Sequence, residues 1–273
     1  MPSVLTFDSG LGGLSVLGEL RRLLPDHRHV YLADDAGFPY GDRTEADLEA
    51  RLETVIGAAL PHLRPSVVVI ACNTASTLAL ASLRKRFPVP FVGTVPAVKP
   101  AAAGSRSRMI SVLATPGTIA RSYTRDLIAT HAGDAAVTLV GSRRLAALVE
   151  RELLDDPPAD EEILAEVAPC FVTAEDGRRT DVVVLACTHY PLLLPRLRAL
   201  APWPVDWLDP APAIARQAAR LLHGSDGGIP SDGEAHLLAT GSLVDAPAAA
   251  RLLDRFGFAR PARRLPLPTP NAA

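Results

Sequence analysis

The sequence predicts an α/β protein built as two similar doubly wound parallel-sheet domains facing across a central cleft. Short β-branched runs alternate with helix-length stretches from end to end, the pattern of strands joined by crossover helices. One run, Val67-Val68-Val69-Ile70-Ala71-Cys72-Asn73-Thr74, returns as Val182-Val183-Val184-Leu185-Ala186-Cys187-Thr188-His189. Each copy is apolar throughout, as a strand buried on both faces must be, and ends in a cysteine followed by small polar residues. Ligands of open α/β sheets bind at the carboxyl ends of the strands. The repeat therefore sets two thiols at the mouths of two sheets, facing one ligand from opposite sides.

Val4-Leu5-Thr6-Phe7 reads as the first strand, followed by Asp8-Ser9-Gly10-Leu11-Gly12-Gly13 and a helix over 14–24. Strand, glycine-rich turn and helix together expose backbone N–H groups to an anion. The spacing is neither G-x-G-x-x-G nor a P-loop, so a tight turn for a carboxylate ligand is as good a reading as a nucleotide site. His29-Val30-Tyr31-Leu32 is the second strand, ending at Asp34-Asp35. The loop Gly37-Phe38-Pro39-Tyr40-Gly41 is rigid and aromatic, suited to lining a pocket, although turn chemistry alone would equally give a surface turn. A helix over 45–60 has Thr44 as its N-cap. After the first cysteine strand come a helix over about 76–87, a short strand over 88–93 and a crossover at 94–97.

The second series opens with a strand over 109–114, and Thr115-Pro116-Gly117-Thr118 turns into a helix reaching about 130. A strand over 137–140, a helix through Glu150 and Leu154 and a helix over about 160–172 lead to the second cysteine strand. A helix over 192–200, a strand over 205–208 and a helix over 212–222 follow. Beyond a Gly/Asp loop at 225–233 lie a last strand (235–240) and helix (247–256), with a loose proline-bearing tail from Arg260. The last strand and helix are expected to rejoin the first domain. That gives 1–97 plus 207–273 as one domain, carrying Cys72, and 98–206 as the other, carrying Cys187.

A formal net charge of −2 leaves no electrostatic footprint for nucleic acid or a membrane surface. Nowhere is there an apolar run long enough to cross a bilayer. Met1-Pro2-Ser3-Val4 lacks a charged segment followed by an apolar one, so no signal peptide is read there. Three cysteines without C-x-x-C spacing suit a reducing cytoplasm and argue against a disulfide framework or a zinc ribbon.

A thiolate is a competent base and a thiol a competent acid near neutral pH. One of each, on opposite faces of a carbon acid, inverts a stereocentre without redox chemistry. Helix N-termini after Cys72 and Cys187 would favour the thiolate. Asp8 ends the first strand, beside Cys72, where its carboxylate would raise the thiol pKa or take its proton. His189 could do the matching job for Cys187. Ser9, Asn73, Thr74, Thr118 and Thr188 are candidate donors to a substrate carboxylate. A lone cysteine ending an apolar strand is usually core, and Cys170 keeps that reading; the duplicated context reverses it for the other two. A metal site from Cys72, Cys187, His189 and Asp8 is disfavoured, because closed zinc sites usually take two ligands from each short motif.

At these residues the chain resembles the glutamate racemases of the cofactor-independent aspartate/glutamate racemase superfamily. The matching motifs are Asp8-Ser9-Gly10 with Gly12-Gly13, Pro39-Tyr40-Gly41, Ala71-Cys72-Asn73-Thr74-Ala75-Ser76, Gly117-Thr118 and Ala186-Cys187-Thr188-His189-Tyr190-Pro191. The resemblance implies interconversion of L- and D-glutamate for peptidoglycan in bacterial cytoplasm, without pyridoxal phosphate or metal. It implies that Cys72 deprotonates D-glutamate and Cys187 L-glutamate, assisted by Asp8 and His189. Ser9, Pro39, Tyr40, Gly41, Asn73, Thr74, Thr118 and Thr188, with Asp8 and His189, would hold the substrate. Glu150 matches a family glutamate. The only expected partner is that small molecule, with a homodimer left open. Gly141-Ser142 stands where many members have Cys-Pro. An aspartate racemase and a non-catalytic amino-acid-binding protein are the competing readings, since two α/β domains around a cleft also make binders.

Overall fold

The computed structural model describes residues 3–41, 43–222 and 234–268, so the expected Gly/Asp loop at 225–233 lies outside the described residues. Strands β1 (Ser3–Asp8), β2 (Arg28–Ala33), β3 (Val67–Ile70), β4 (Phe91–Gly93), β9 (Ala235–Ala239) and β10 (Phe258–Arg264) form one sheet, in the order β10-β9-β2-β1-β3-β4. Strands β5 (Met109–Ala114), β6 (Ala136–Gly141), β7 (Val182–Ala186) and β8 (Asp206–Leu208) form the other, in the order β6-β5-β7-β8. Every pairing is parallel. The β-branched runs of β3 and β7 are buried along their whole length, as strands covered by helices on both faces must be.

Strand order explains where the cysteines stand. From β1 the chain steps to β2 on one side and then returns to β3 on the other, so the winding reverses between β1 and β3. The same reversal falls between β5 and β7. A crevice opens outside the carboxyl ends of the strands at each reversal. Asp8 and Cys72 sit at the first, Thr115 and Cys187 at the second. Register fixes their heights: Phe7 pairs with Ile70, and Ala114 with Ala186.

Helix α1 (Leu14–Leu23) packs on α10 (Ala211–Leu222), and their apolar faces share a core with β1 and β3. Helix α2 (Glu45–Leu63) starts on Thr44, whose hydroxyl accepts from the Asp47 N–H, and runs three residues past its expected end. Helix α3 (Asn73–Arg86) starts directly on Cys72, earlier than expected. Helix α4 (Val98–Gly104) falls where no element was read; its Val98, Ala101 and Ala102 cover the second sheet. The stretch expected as one helix to about residue 130 is broken into α5 (Pro116–Ile119) and α6 (Ser122–His131). Helices α7 (Leu145–Leu153), α8 (Asp160–Val167), α9 (Leu194–Leu200) and α11 (Ala249–Phe256) complete the set among the described residues.

As far as residue 268 the proline-bearing end is not a loose tail; residues 269–273 lie outside the described residues. Phe258–Arg264 is β10, an edge strand on β9, and Leu265 is buried in the first core. Pro261 lies within the register shift between Ala259 and Arg263, the irregular edge position where a residue without an N–H is tolerated. The boundary read at 206/207 cuts through β8, which pairs with β7. We propose that the second crossing follows Leu208, where α10 joins the first half.

Candidate active site

Both switch points open onto one pocket, and Cys72 and Cys187 line it together. It encloses about 330 Å³ of empty space, counting its mouth, between Ser9, Phe38, Pro39, Tyr40, Gly41, Asn73, Thr74, Thr115, Ala146, Thr188 and His189. A larger cavity of about 1220 Å³, between residues 92–100 and 208–217, holds neither thiol. Chemistry rather than size therefore marks the site.

On the first side, Cys72 Sγ lies 3.9 Å from Ser9 Oγ, which donates to Asp8 Oδ1 at 3.4 Å. Asp8 is fully buried and does not line the pocket. It stands behind Ser9, accepting from the Gly10 N–H at 2.7 Å and, across the cleft, from Thr188 Oγ1 at 2.9 Å. Asp8 thus stands near Cys72 as expected, with Ser9 between the carboxylate and the sulfur. Burial pushes the Cys72 thiol well up, and the nearby Asp8 charge pushes it further. The start of α3, through the Ala75 N–H, favours the thiolate as expected, but burial outweighs it and Cys72 is a thiol at neutral pH.

The second side is built differently. Cys187 is followed by a turn and a short 3₁₀ segment, Tyr190–Leu193, so no α-helix starts directly after it as α3 does after Cys72. Its partner is His189, whose Nδ1 lies 3.7 Å from Sγ. Nε2 of the same ring lies 2.7 Å from Glu150 Oε1, which also accepts from the Leu11 N–H at 2.6 Å. The anion at the glycine turn is thus the protein's own Glu150. Glycine is required there by close approach: a Cβ on Gly10 would stand 2.3 Å from Glu150 Oε1, and one on Gly12 2.2 Å from His189 Nδ1. Burial disfavours the His189 imidazolium. The hydrogen bonds to Cys187 and Glu150, with the Cys187 and Asp8 charges, outweigh it and hold the ring's pKa well above the ordinary value.

Asn73 and a group of threonines form the polar wall. Asn73 is buried, and its side-chain oxygen and nitrogen have no hydrogen-bond partner. A buried amide left unpaired costs on the order of 1–3 kcal/mol, which a polar ligand in the pocket would recover. Thr74 Oγ1 lies 3.0 Å from Thr115 Oγ1 and 3.4 Å from Thr118 Oγ1, linking the two halves. Thr115 reaches the pocket; Thr118 is fully buried behind it, so the wall residue is the neighbour of the one expected. Tyr40 lines the pocket, but its hydroxyl turns away to Asp34.

The model of the Asp/Glu/Hydantoin racemase family matches residues 15–218. The chain belongs to that family. It is 53% identical over 256 residues to glutamate racemase of Rhizobium meliloti (strain 1021), covering 93% of this chain and 92% of the relative. The corresponding enzyme of Mesorhizobium japonicum is 54% identical, with 93% and 97% covered. Escherichia coli glutamate racemase, solved with L-glutamate and the activator UDP-MurNAc-Ala, superposes with a TM-score of 0.90 at 36% identity, over 98% of this chain and 99% of that one. Glutamate racemase of Thermus thermophilus, solved with β-chloro-D-alanine, gives 0.73 at 31% identity, with 96% of each chain covered.

Two parts of this racemase-family site carried no role in the sequence reading. Glu150 is 39 positions from His189, and only the docking of α7 brings them together. Thr115 read as a turn residue, and its register beside Cys187 depends on the β5–β7 pairing.

The raised His189 pKa has a measurable sign. A group with a higher pKa folded than unfolded stabilises fully below its unfolded value, and loses that contribution as pH rises through the folded one. For His189 the loss begins above its ordinary 6.5. Asp8, raised by burial, acts in the same direction from 3.8 upward. Chemical denaturation at about pH 6 and about pH 9 should give a lower unfolding free energy at the higher pH, and His189→Gln should flatten the difference.

Proposed function

We propose that this chain interconverts L- and D-glutamate by two-thiol proton transfer, supplying D-glutamate for peptidoglycan. The observation that carries this reading is the shared pocket: two cysteines from two sheets, each with its own supporting set. The relatives at 53% and 54% identity are glutamate racemases, and the E. coli relative was solved with L-glutamate.

With L-glutamate bound, the Cys187 thiolate takes the α-proton and becomes a thiol. The electron pair left on the α-carbon then takes the proton of the Cys72 thiol from the other face, giving D-glutamate and a Cys72 thiolate. The reverse direction exchanges the roles. His189, whose pKa is raised by its hydrogen bonds to Cys187 and Glu150, stabilises negative charge on the Cys187 sulfur. Burial, reinforced by the nearby Asp8 charge, makes the Cys72 thiolate scarce and therefore a strong base. The carbanion needs fixed donors for the substrate carboxylate, and the unpartnered Asn73 amide beside Thr74 is suited to that work.

A proton NMR time course tests the reading. Metal-free, cofactor-free protein is incubated in deuterated water with L- or D-glutamate, with aspartate in parallel. Loss of the α-proton signal from both glutamate enantiomers, with optical rotation decaying to zero, is the expected result. Exchange with aspartate alone would change the substrate and keep the chemistry. No exchange with either would leave a binding protein.

A further inference from the structure

Tyr40 presents its ring to the pocket while its hydroxyl donates to Asp34, at the end of β2. The Asp34 carboxylate is fully buried. Its Oδ2 takes the Tyr40 hydroxyl and Arg51 Nε at 2.8 Å; its Oδ1 takes Arg51 Nη2 and Thr240 Oγ1, each at 2.5 Å. Arg51 comes from α2 and Thr240 from the turn after β9, so three distant elements meet on one carboxylate. Asp35, next in the chain, accepts the amides of Thr240, Gly241 and Leu243 at 3.0, 2.6 and 2.8 Å. There is no spare room: a Cβ on Gly37 would stand 2.4 Å from Asp34 Oδ2.

Bidentate guanidinium–carboxylate pairing fixes direction as well as distance. The strap Pro39–Gly41 therefore hangs from a fixed point outside the pocket, although it forms part of the wall. The thiols are held by other elements, Cys72 at the end of β3 and Cys187 at the end of β7. Slack in the strap would loosen substrate binding without moving either sulfur.

We propose that Arg51 and Thr240 are positioning residues. Through Asp34 and Tyr40 they hold the strap against the substrate, and they govern how tightly it binds rather than the proton transfers. This inference rests on the racemase reading above.

Steady-state racemisation of both glutamate enantiomers by the full chain tests it, with wild type, Thr240→Val, Tyr40→Phe, Arg51→Met and Arg51→Lys compared. Thr240→Val, Tyr40→Phe and Arg51→Met should each raise KM roughly tenfold in both directions and change kcat less than about twofold. Arg51→Lys keeps the charge without the fork and should recover only part of the loss. Thr240→Val combined with Tyr40→Phe should raise KM by less than the product of the single effects, because both act through Asp34. A merely structural role would lower the active fraction, seen as a fall in kcat and thermal midpoint at unchanged KM, and that result overturns the proposal. Should Arg51→Met not fold, Thr240→Val and Tyr40→Phe decide alone, and wild-type KM in both refutes it. Wild-type protein that racemises nothing overturns the racemase reading itself, and this inference with it.

Discussion

Cys72→Ala and Cys187→Ala are each expected to reduce glutamate racemisation in both directions by on the order of 1,000-fold, because the proposed inversion needs a base on one face and an acid on the other. Both variants should fold: each cysteine ends a buried strand, and alanine keeps the backbone and most of the packing there. The two losses are not additive, since one missing thiol already breaks the cycle. Cys170→Ala is the control. Cys170 is fully buried in a core that both halves share and does not line the pocket, so its replacement should leave racemisation unchanged. Circular dichroism for folding and the NMR exchange assay for chemistry check all three. A Cys72→Ala or Cys187→Ala protein that still racemises at the wild-type rate would remove the two-thiol mechanism.

The two sides need not respond alike to milder changes. Cys187 stands beside a histidine paired with Glu150, whereas Cys72 has a hydroxyl between it and a buried carboxylate. Glu150→Gln removes the charge that supports the His189 imidazolium and keeps the shape. It should shift the pH profile for L-glutamate as substrate more than that for D-glutamate. Rate–pH profiles in the two directions read this separately.

What could be read from the chain follows from which signals are local. Val67–Ile70 and Val182–Leu185 are apolar at every position because parallel strands are covered on both faces, so both strands and the cysteines ending them were visible without a structure. Asp8, Ser9, Asn73 and Thr188 were legible for the same reason, lying at or next to strand ends. What was not legible depends on contacts far apart in the chain. Pro261 and its neighbours carry no strand pattern; they pair because β9 offers an edge and Leu265 finds the core. Asp8 stands at the sheet edge beside Cys72 as read, but its further bond to Thr188 in the other half was not legible. The glycine turn was read as a cradle for an outside anion, and the tertiary fold fills it with Glu150.

That turn sets the second large effect. Gly12→Ala places a methyl 2.2 Å from His189 Nδ1, and 2.6 Å from two of its ring carbons, so the imidazole must leave its position between Cys187 and Glu150. Overpacking at a buried site costs about 1–3 kcal/mol, so the variant folds with a lower thermal midpoint. Racemisation should fall roughly 100-fold, as for other displacements of a supporting group. The double variant Gly12→Ala/His189→Ala separates the two consequences. Removing the ring makes room for the methyl, so much of the lost stability should return. Activity should not return, because the group beside Cys187 is gone. Stability recovered without activity would assign the glycine to His189. A double variant as unstable as Gly12→Ala would instead place the clash on the turn's own backbone, and an active one would show that His189 is not needed.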